Sequence, residues 1–324
     1  IKRLPVTEYK AQNRGGMGIT AHKPKDEDFV ERLFISSTHD EILFFSSFGK
    51  VYSIKAYEIP EASRTAKGMN IINILPLMPD EKINVILPAS ELDEEKFVTM
   101  GTKKGIIKRT RLSEFRNTRK SGIIALSIDE DDELIFANLT DGENNLMIAT
   151  KKGMAIQFSE KGVRAMGRSA RGVKAITMKD GDYVVAMTVT GENTRLLTIT
   201  ETGYGRISPI SDYRLQSRGG KGLTNYRVDK YGDVAAVLDI TGDEDIIMIA
   251  SNGILIRIYS GDISTFARPA KGVRVMRVGE GERVLSVAVA EHSEEEPTEL
   301  PDAPDADSGA AEAETEEESG GEAE

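Results

Sequence analysis

The chain of 324 residues contains no cysteine, no tryptophan and only three histidines. Without cysteine there can be no disulfide, no zinc-thiolate centre and no thiol nucleophile, and a reducing compartment fits. His22, His39 and His292 lie in unrelated contexts, so neither a histidine metal site nor a histidine general base is expected. No apolar run approaches the roughly 18 residues a membrane helix needs, and no signal-peptide pattern opens the chain. It begins at Ile1, and the expectation is a piece of a longer cytoplasmic protein. Hydrophobic residues make up 39%, enough for a substantial core.

Positive charge is missing from one region altogether. From Glu291 onward the chain holds 15 acidic residues and no lysine or arginine. That segment, 291–324, has little to bury and is expected to be a disordered acidic tail. Residues 1–290 then carry 42 basic against 38 acidic residues, so the net charge of -11 conceals a body of about +4.

Within the body a motif recurs. Arg14-Gly-Gly-Met-Gly18, Arg64-Thr-Ala-Lys-Gly68, Arg168-Ser-Ala-Arg-Gly172, Arg218-Gly-Gly-Lys-Gly222 and Arg268-Pro-Ala-Lys-Gly272 share one pattern. A looser copy ends at Gly122, with Thr118 in the arginine position and Arg119 and Lys120 behind it. Six copies at about 50-residue spacing indicate a repeat architecture. A second series interleaves with the first. In "LFFSSFGKVYSI", "FVTMGTKKGIIKR", "LMIATKKGMAIQF", "LLTITETGYGRIS" and "IMIASNGILIRI" a polar turn ending in glycine joins two apolar runs, the signature of a β-hairpin whose turn needs positive φ. "IKRLPVTEY" aligns with the second arm of such a hairpin, so the first repeat is expected to be truncated at its start. An acidic turn and one more apolar strand complete each unit. Four-stranded units repeated six times predict an all-β, six-bladed, propeller-like disc over residues 1–290, since closure into a ring leaves only short edges.

No catalytic constellation emerges. The glycine pair at 219–220 is followed by Lys221 but lacks the serine or threonine of an NTP-binding loop. Asp129-Glu-Asp-Asp-Glu133 has the oxygen ligands magnesium prefers. Acidic residues recur at this turn in most repeats, however, which favours a solvated turn.

What remains is a ring of basic loops. An arginine beside a glycine-rich turn can hold a phosphate while backbone N–H groups approach the same anion. Equally, the arginine could cap carbonyls and the glycine could serve packing between blades. The basic partners Lys67, Lys120, Arg171, Lys221 and Lys271 fit solvent-facing roles better, because the same loop is basic in five of six copies. A stripe of charge round a disc suits bent duplex DNA. Lysine pairs at 103–104 and 151–152 extend the charge at hairpin tips.

"YRLQSRGGKG" and "YKAQNRGGMG" resemble the glycine- and arginine-rich box of the C-terminal domain of the DNA gyrase A subunit, and six repeats with an acidic tail fit that family over essentially the whole chain. The resemblance implies a six-bladed β-pinwheel, whose blades exchange strands and whose rim wraps duplex DNA to give directional negative supercoiling. Carried over by position, the box comprises Gln12, Arg14, Gly15, Gly16 and Gly18 in the first repeat and Gln216, Arg218, Gly219, Gly220, Lys221 and Gly222 in the fifth. Arg64, Lys67, Arg119, Lys120, Arg168, Arg171, Arg268 and Lys271 complete the expected DNA-binding set. Met17 departs from the pattern where a basic residue is usual, as do Asn13 and Ser217.

The same resemblance implies a non-catalytic piece of an ATP-dependent type II topoisomerase. Its partners would be the rest of the gyrase A subunit, together with the gyrase B subunit, and ATP, magnesium and the catalytic tyrosine would all lie elsewhere in the holoenzyme. The isolated domain would be monomeric and cytoplasmic, near the nucleoid. The alternatives are the corresponding domain of topoisomerase IV, which usually lacks an intact box, and a propeller serving as a protein-interaction scaffold.

Overall fold

The computed structural model describes residues 1–5, 36–63, 66–89, 95–252 and 254–292. Residues Ile1–Ser293 form one compact unit; the rest of the acidic segment lies outside the described residues, as does the first box.

Each hairpin forms where the sequence places it. β1 (Glu41–Ser46) pairs with β2 (Lys50–Lys55), β4 (Phe97–Thr102) with β5 (Ile106–Arg111), β8 (Asn145–Thr150) with β9 (Met154–Ser159), β12 (Arg195–Thr200) with β13 (Tyr204–Pro209), and β16 (Glu244–Ala250) with β17 (Leu255–Tyr259). Gly49, Gly105, Gly153 and Gly203 close the first four turns at φ of 73° to 79°, a conformation that disfavours any residue with a Cβ. The acidic turn leads into a third strand, β3 (Ile83–Ala89), β7 (Leu134–Thr140), β11 (Val184–Thr190), β15 (Val234–Ile240) or β19 (Val284–Glu291), which returns to pair with the first arm of its hairpin. These third strands neighbour one another in chain order. β19 extends through Glu291, and His292 Nδ1 lies 2.8 Å from Asp245 Oδ1. The body thus runs slightly past Ala290, where composition alone changes.

The fourth strand of each sheet comes from the following repeat. β6 (Ile123–Ile124) pairs with β2, β10 (Val173–Lys174) with β5, β14 (Leu223–Thr224) with β9, and β18 (Val273–Arg274) with β13. All four follow a box glycine directly, so the box is the segment through which one repeat grips the sheet before it. The result is four antiparallel four-stranded sheets and one of three strands among the described residues. Ile1 and Met69 exchange backbone hydrogen bonds of 2.6 and 2.8 Å. Ile1 therefore stands to Met69 as Ile107 stands to Val173, in the place of a second hairpin arm. The arrangement is all-β and propeller-like, with five sheets described where the repeats predict six; most of the first repeat lies outside the described residues.

The core is partitioned by strand alternation. In β8, Leu146 and Ile148 join one apolar cluster while Met147 and Ala149 join another. In β1, Leu43 and Phe45 pack with Val98 and Met100, whereas Ile42 and Phe44 face the opposite side. A strand buried on both faces is the consequence of lying between two neighbouring sheets.

Candidate nucleic-acid interface

The box loops occupy equivalent places. Each second hairpin arm ends in a short 3-10 turn, at Ala56–Glu58, Leu112–Phe115, Glu160–Gly162, Ile210–Asp212 or Ser260–Asp262. The chain then crosses to the preceding sheet and reaches the last glycine of the box. Gly68, Gly122, Gly172, Gly222 and Gly272 all have positive φ, between 74° and 95°. A Cβ on Gly172 would stand 2.6 Å from the carbonyl oxygen of Ile107, and one on Gly122 would stand 2.6 Å from the Tyr52 ring. These glycines serve the contact between sheets.

The box arginines also serve it. Arg218 donates from Nε to the carbonyl of Gly162 at 2.7 Å and from Nη1 to that of Lys174 at 3.0 Å. Arg268 does the same with Asp212 at 2.7 Å and Thr224 at 3.0 Å. Each guanidinium ties the end of a 3-10 turn to the donated strand and keeps only part of its donor set for a ligand. Arg168 lies 3.9 Å from Glu114. Gly219, at φ 81°, commits its N–H to the carbonyl of Ala175 at 2.6 Å, and Gly220 gives its carbonyl to the N–H of Thr177. The expected cradle of outward N–H groups therefore loses Gly219, and the loop's capacity for an anion rests mainly on side chains. The N–H of Gln216 donates to the Gln157 carbonyl, while its side-chain Nε2 is buried with no hydrogen-bond partner among the described residues.

The basic partners face outward. Lys67, Arg119, Lys120, Arg171, Arg218, Lys221 and Lys271 are all exposed. Lys120 meets Glu58 at 2.5 Å, which raises its pKa, and Arg171 is paired with Asp129. Lys271 lies 3.9 Å above the Tyr204 ring, whose hydroxyl accepts a 2.7 Å hydrogen bond from Arg274. These two cations lower the Tyr204 pKa, the hydrogen bond from Arg274 foremost. Such exposed pairs are weak, so a polyanion can displace the carboxylates.

Two side chains of this edge were not read from the sequence. Lys174 and Arg274 stand exposed on the donated strands, two positions after the box glycine. The alternation of a strand would have placed them outward, but a two-residue strand carries no periodicity to read. Gln12, Arg14, Gly15, Gly16, Gly18 and Arg64 lie outside the described residues.

The hairpin-tip lysines do not extend the free charge. Lys103 pairs with Glu133 at 2.6 Å, Lys151 with Glu201 at 2.8 Å and Lys152 with Asp233 at 2.8 Å. Their carboxylate partners lie on the acidic turns and, for Glu201, on the next hairpin tip. The run 129–133 joins no cluster of three or more potential metal ligands among the described residues, and none of their helices is long and apolar enough to cross a membrane.

The sequence model of the family described as DNA gyrase C-terminal domain, beta-propeller, matches residues 1–37, 40–87, 96–141, 144–190, 194–240 and 244–291. The chain belongs to this family. The DNA gyrase A subunit of Staphylococcus aureus (strain NCTC 8325 / PS 47) is 43% identical over 304 residues, which cover 92% of this chain and 34% of the relative. Its counterpart in strain MRSA252 is likewise 43% identical, over 301 residues. The chain thus spans about a third of the length of the curated relatives it matches. A crystal structure of the C-terminal domain of DNA topoisomerase IV superposes with a TM-score of 0.79 at 26% identity, covering 90% of both chains. A structure of the DNA gyrase A C-terminal domain gives 0.68 at 28% identity, over 89% of this chain and 95% of the other.

Proposed function

We propose that the chain is the DNA-wrapping part of DNA gyrase, a six-bladed β-pinwheel that binds duplex DNA along its basic edge, bends it and does no bond chemistry itself. One observation carries the reading. In every described repeat the box loop turns a lysine or arginine outward while its last glycine packs against the neighbouring sheet, and in two of them Arg218 or Arg268 braces the same junction. The repeated unit is thus a brace with a cation on its outer side. Cations at regular intervals along a curved edge neutralise phosphates without reading bases. The match of the family to six segments supports a sixth blade built from residues 1–37.

In the holoenzyme the partners would be the remainder of the gyrase A subunit, which would carry the cleaving tyrosine upstream of Ile1, and the gyrase B subunit; ATP and magnesium would bind elsewhere in that assembly. The compartment would be the bacterial cytoplasm, near the nucleoid. The edge would present the wrapped segment so that strand passage always meets a crossing of one sign. Passing a duplex through a positive crossing makes it negative, so a gyrase-type domain must trap positive crossings.

The superposition on the topoisomerase IV domain favours a second reading, in which the edge grips DNA without a wrap of fixed sign. Ligation of nicked circles in the presence of the chain separates the two. Products with a raised linking number support wrapping, unchanged linking number with retained binding supports the topoisomerase IV-like role, and absence of binding at low salt leaves a protein scaffold.

A further inference from the structure

Two fully buried cations lie beneath box loops. Lys108, on β5, donates from Nζ to the carbonyl of Ala125 at 2.6 Å and to that of Arg168, and it is 0% exposed. Arg206, on β13, is also 0% exposed; it donates from Nε to the carbonyl of Ala270 at 3.0 Å and from Nη2 to the carbonyl and side chain of Asn225. Both occupy the third position after a hairpin glycine, Gly105 or Gly203. Both join the same two places: the residue three beyond their own repeat's box glycine, and the box of the next repeat. Lys2, at the corresponding position by its neighbour's pairing with Met69, reaches the box carbonyl of Ala66 at 2.8 Å.

At the same position the sheet beneath Arg218–Gly222 has Ile156. Here the carbonyl corresponding to those of Ala125 and Asn225 belongs to Ala175, and it accepts the N–H of Gly219 instead. That bond needs a residue able to hold φ at 81°. In the Arg206-supported loop the same position is Pro269, which has no N–H to give. A buried carbonyl left without a donor is costly, and the two kinds of loop meet this demand differently.

We infer that the buried cation and the glycine pair are interchangeable supports for the box loop, which makes Lys108 and Arg206 positioning residues for the outward cations Arg171 and Lys271. A loop over a cation can carry alanine or proline and is fastened through a side chain. The loop over Ile156 carries its glycine pair and is fastened backbone to backbone. The link to DNA rests on the wrapping reading above, whereas the interchange of supports does not.

The test is a swap in the full chain, read by amide exchange across 266–274 and by affinity for a linear mixed-sequence duplex. Arg206→Ile strands the Asn225 and Ala270 carbonyls, and exchange in the loop should rise, and duplex affinity fall, by about tenfold. Adding Pro269→Gly and Ala270→Gly recreates the arrangement over Ile156 and should restore both. A triple variant no better than Arg206→Ile overturns the inference, as does an Arg206→Ile loop that exchanges as slowly as the parent. Should the single variant not fold, a folded triple variant supports the inference and an unfolded one overturns it. If the parent binds no duplex at low salt, the wrapping reading fails, and the exchange results still decide the question of supports.

Discussion

Gly172 meets the carbonyl oxygen of Ile107 so closely that a Cβ would intrude to 2.6 Å, and its φ is 95°. The glycine is required twice, once by conformation and once by the approach of the neighbouring strand. Gly172→Ala should therefore destabilise the chain by about 2–4 kcal/mol in urea titration, combining left-handed strain with overpacking. Gly181→Ala is the control. It also has positive φ, at 76°, but nothing lies within 4 Å of its would-be Cβ, so it should lose only about 1 kcal/mol.

This contrast shows what sequence could reveal. The spacing of Gly68, Gly122, Gly172, Gly222 and Gly272 disclosed the repeat because backbone conformation admits one residue type, and that demand is visible in the letters. The apolar arms of the hairpins were legible for a similar reason. The exchange of strands was not, since Ile123–Ile124 or Leu223–Thr224 is too short for any periodicity. Nor could Lys108 and Arg206 be read as buried: in a strand beside basic neighbours a cation reads as surface, and only the two carbonyls converging on it say otherwise. The bracing part played by Arg218 and Arg268 was left open by sequence and decided by the carbonyls of Gly162 and Asp212.

Lys108 gives the fold a pH dependence of known sign. Burial, and then the nearby Arg168 guanidinium, lowers its pKa from 10.5 to about 8. Between those values the unfolded chain holds a proton that the folded chain has released, so stability rises with pH across that window. The gain should reach up to about 3 kcal/mol by pH 10.5. Urea midpoints of the parent and of Lys108→Met, compared from pH 7.5 to pH 10.5, isolate this contribution from other titrating groups. Parallel curves would show that Lys108 does not change protonation on folding.

The outward cations should govern DNA affinity through phosphates. With about six to eight of them engaged, log affinity should fall against log salt with a slope of roughly -5 to -7, and with little preference for sequence. Lys221→Ala removes an exposed cation that makes no ion pair among the described residues, so it should reduce the slope by about one. Lys103→Ala removes a lysine already paired with Glu133 and should leave the slope unchanged. Equal effects of the two would show that the charge of the body, and not its placement at the boxes, attracts DNA.

Residues 293–324 carry 14 acidic residues and no basic one, and they follow directly on His292, which is held against Asp245 at 2.8 Å. A polyanion joined covalently to a body of about +4 competes with DNA for the same cations at a high effective concentration. Removing it after His292 should therefore raise affinity for short duplexes, and cutting there rather than after Ala290 preserves β19 and the contact with Asp245. The gain should be large at low ionic strength and shrink as salt is added, because screening weakens the competition and binding together. Longer duplexes, which engage more cations at once, should show a smaller gain than short ones. Identical binding by the two forms at low salt would assign the acidic segment to solubility alone.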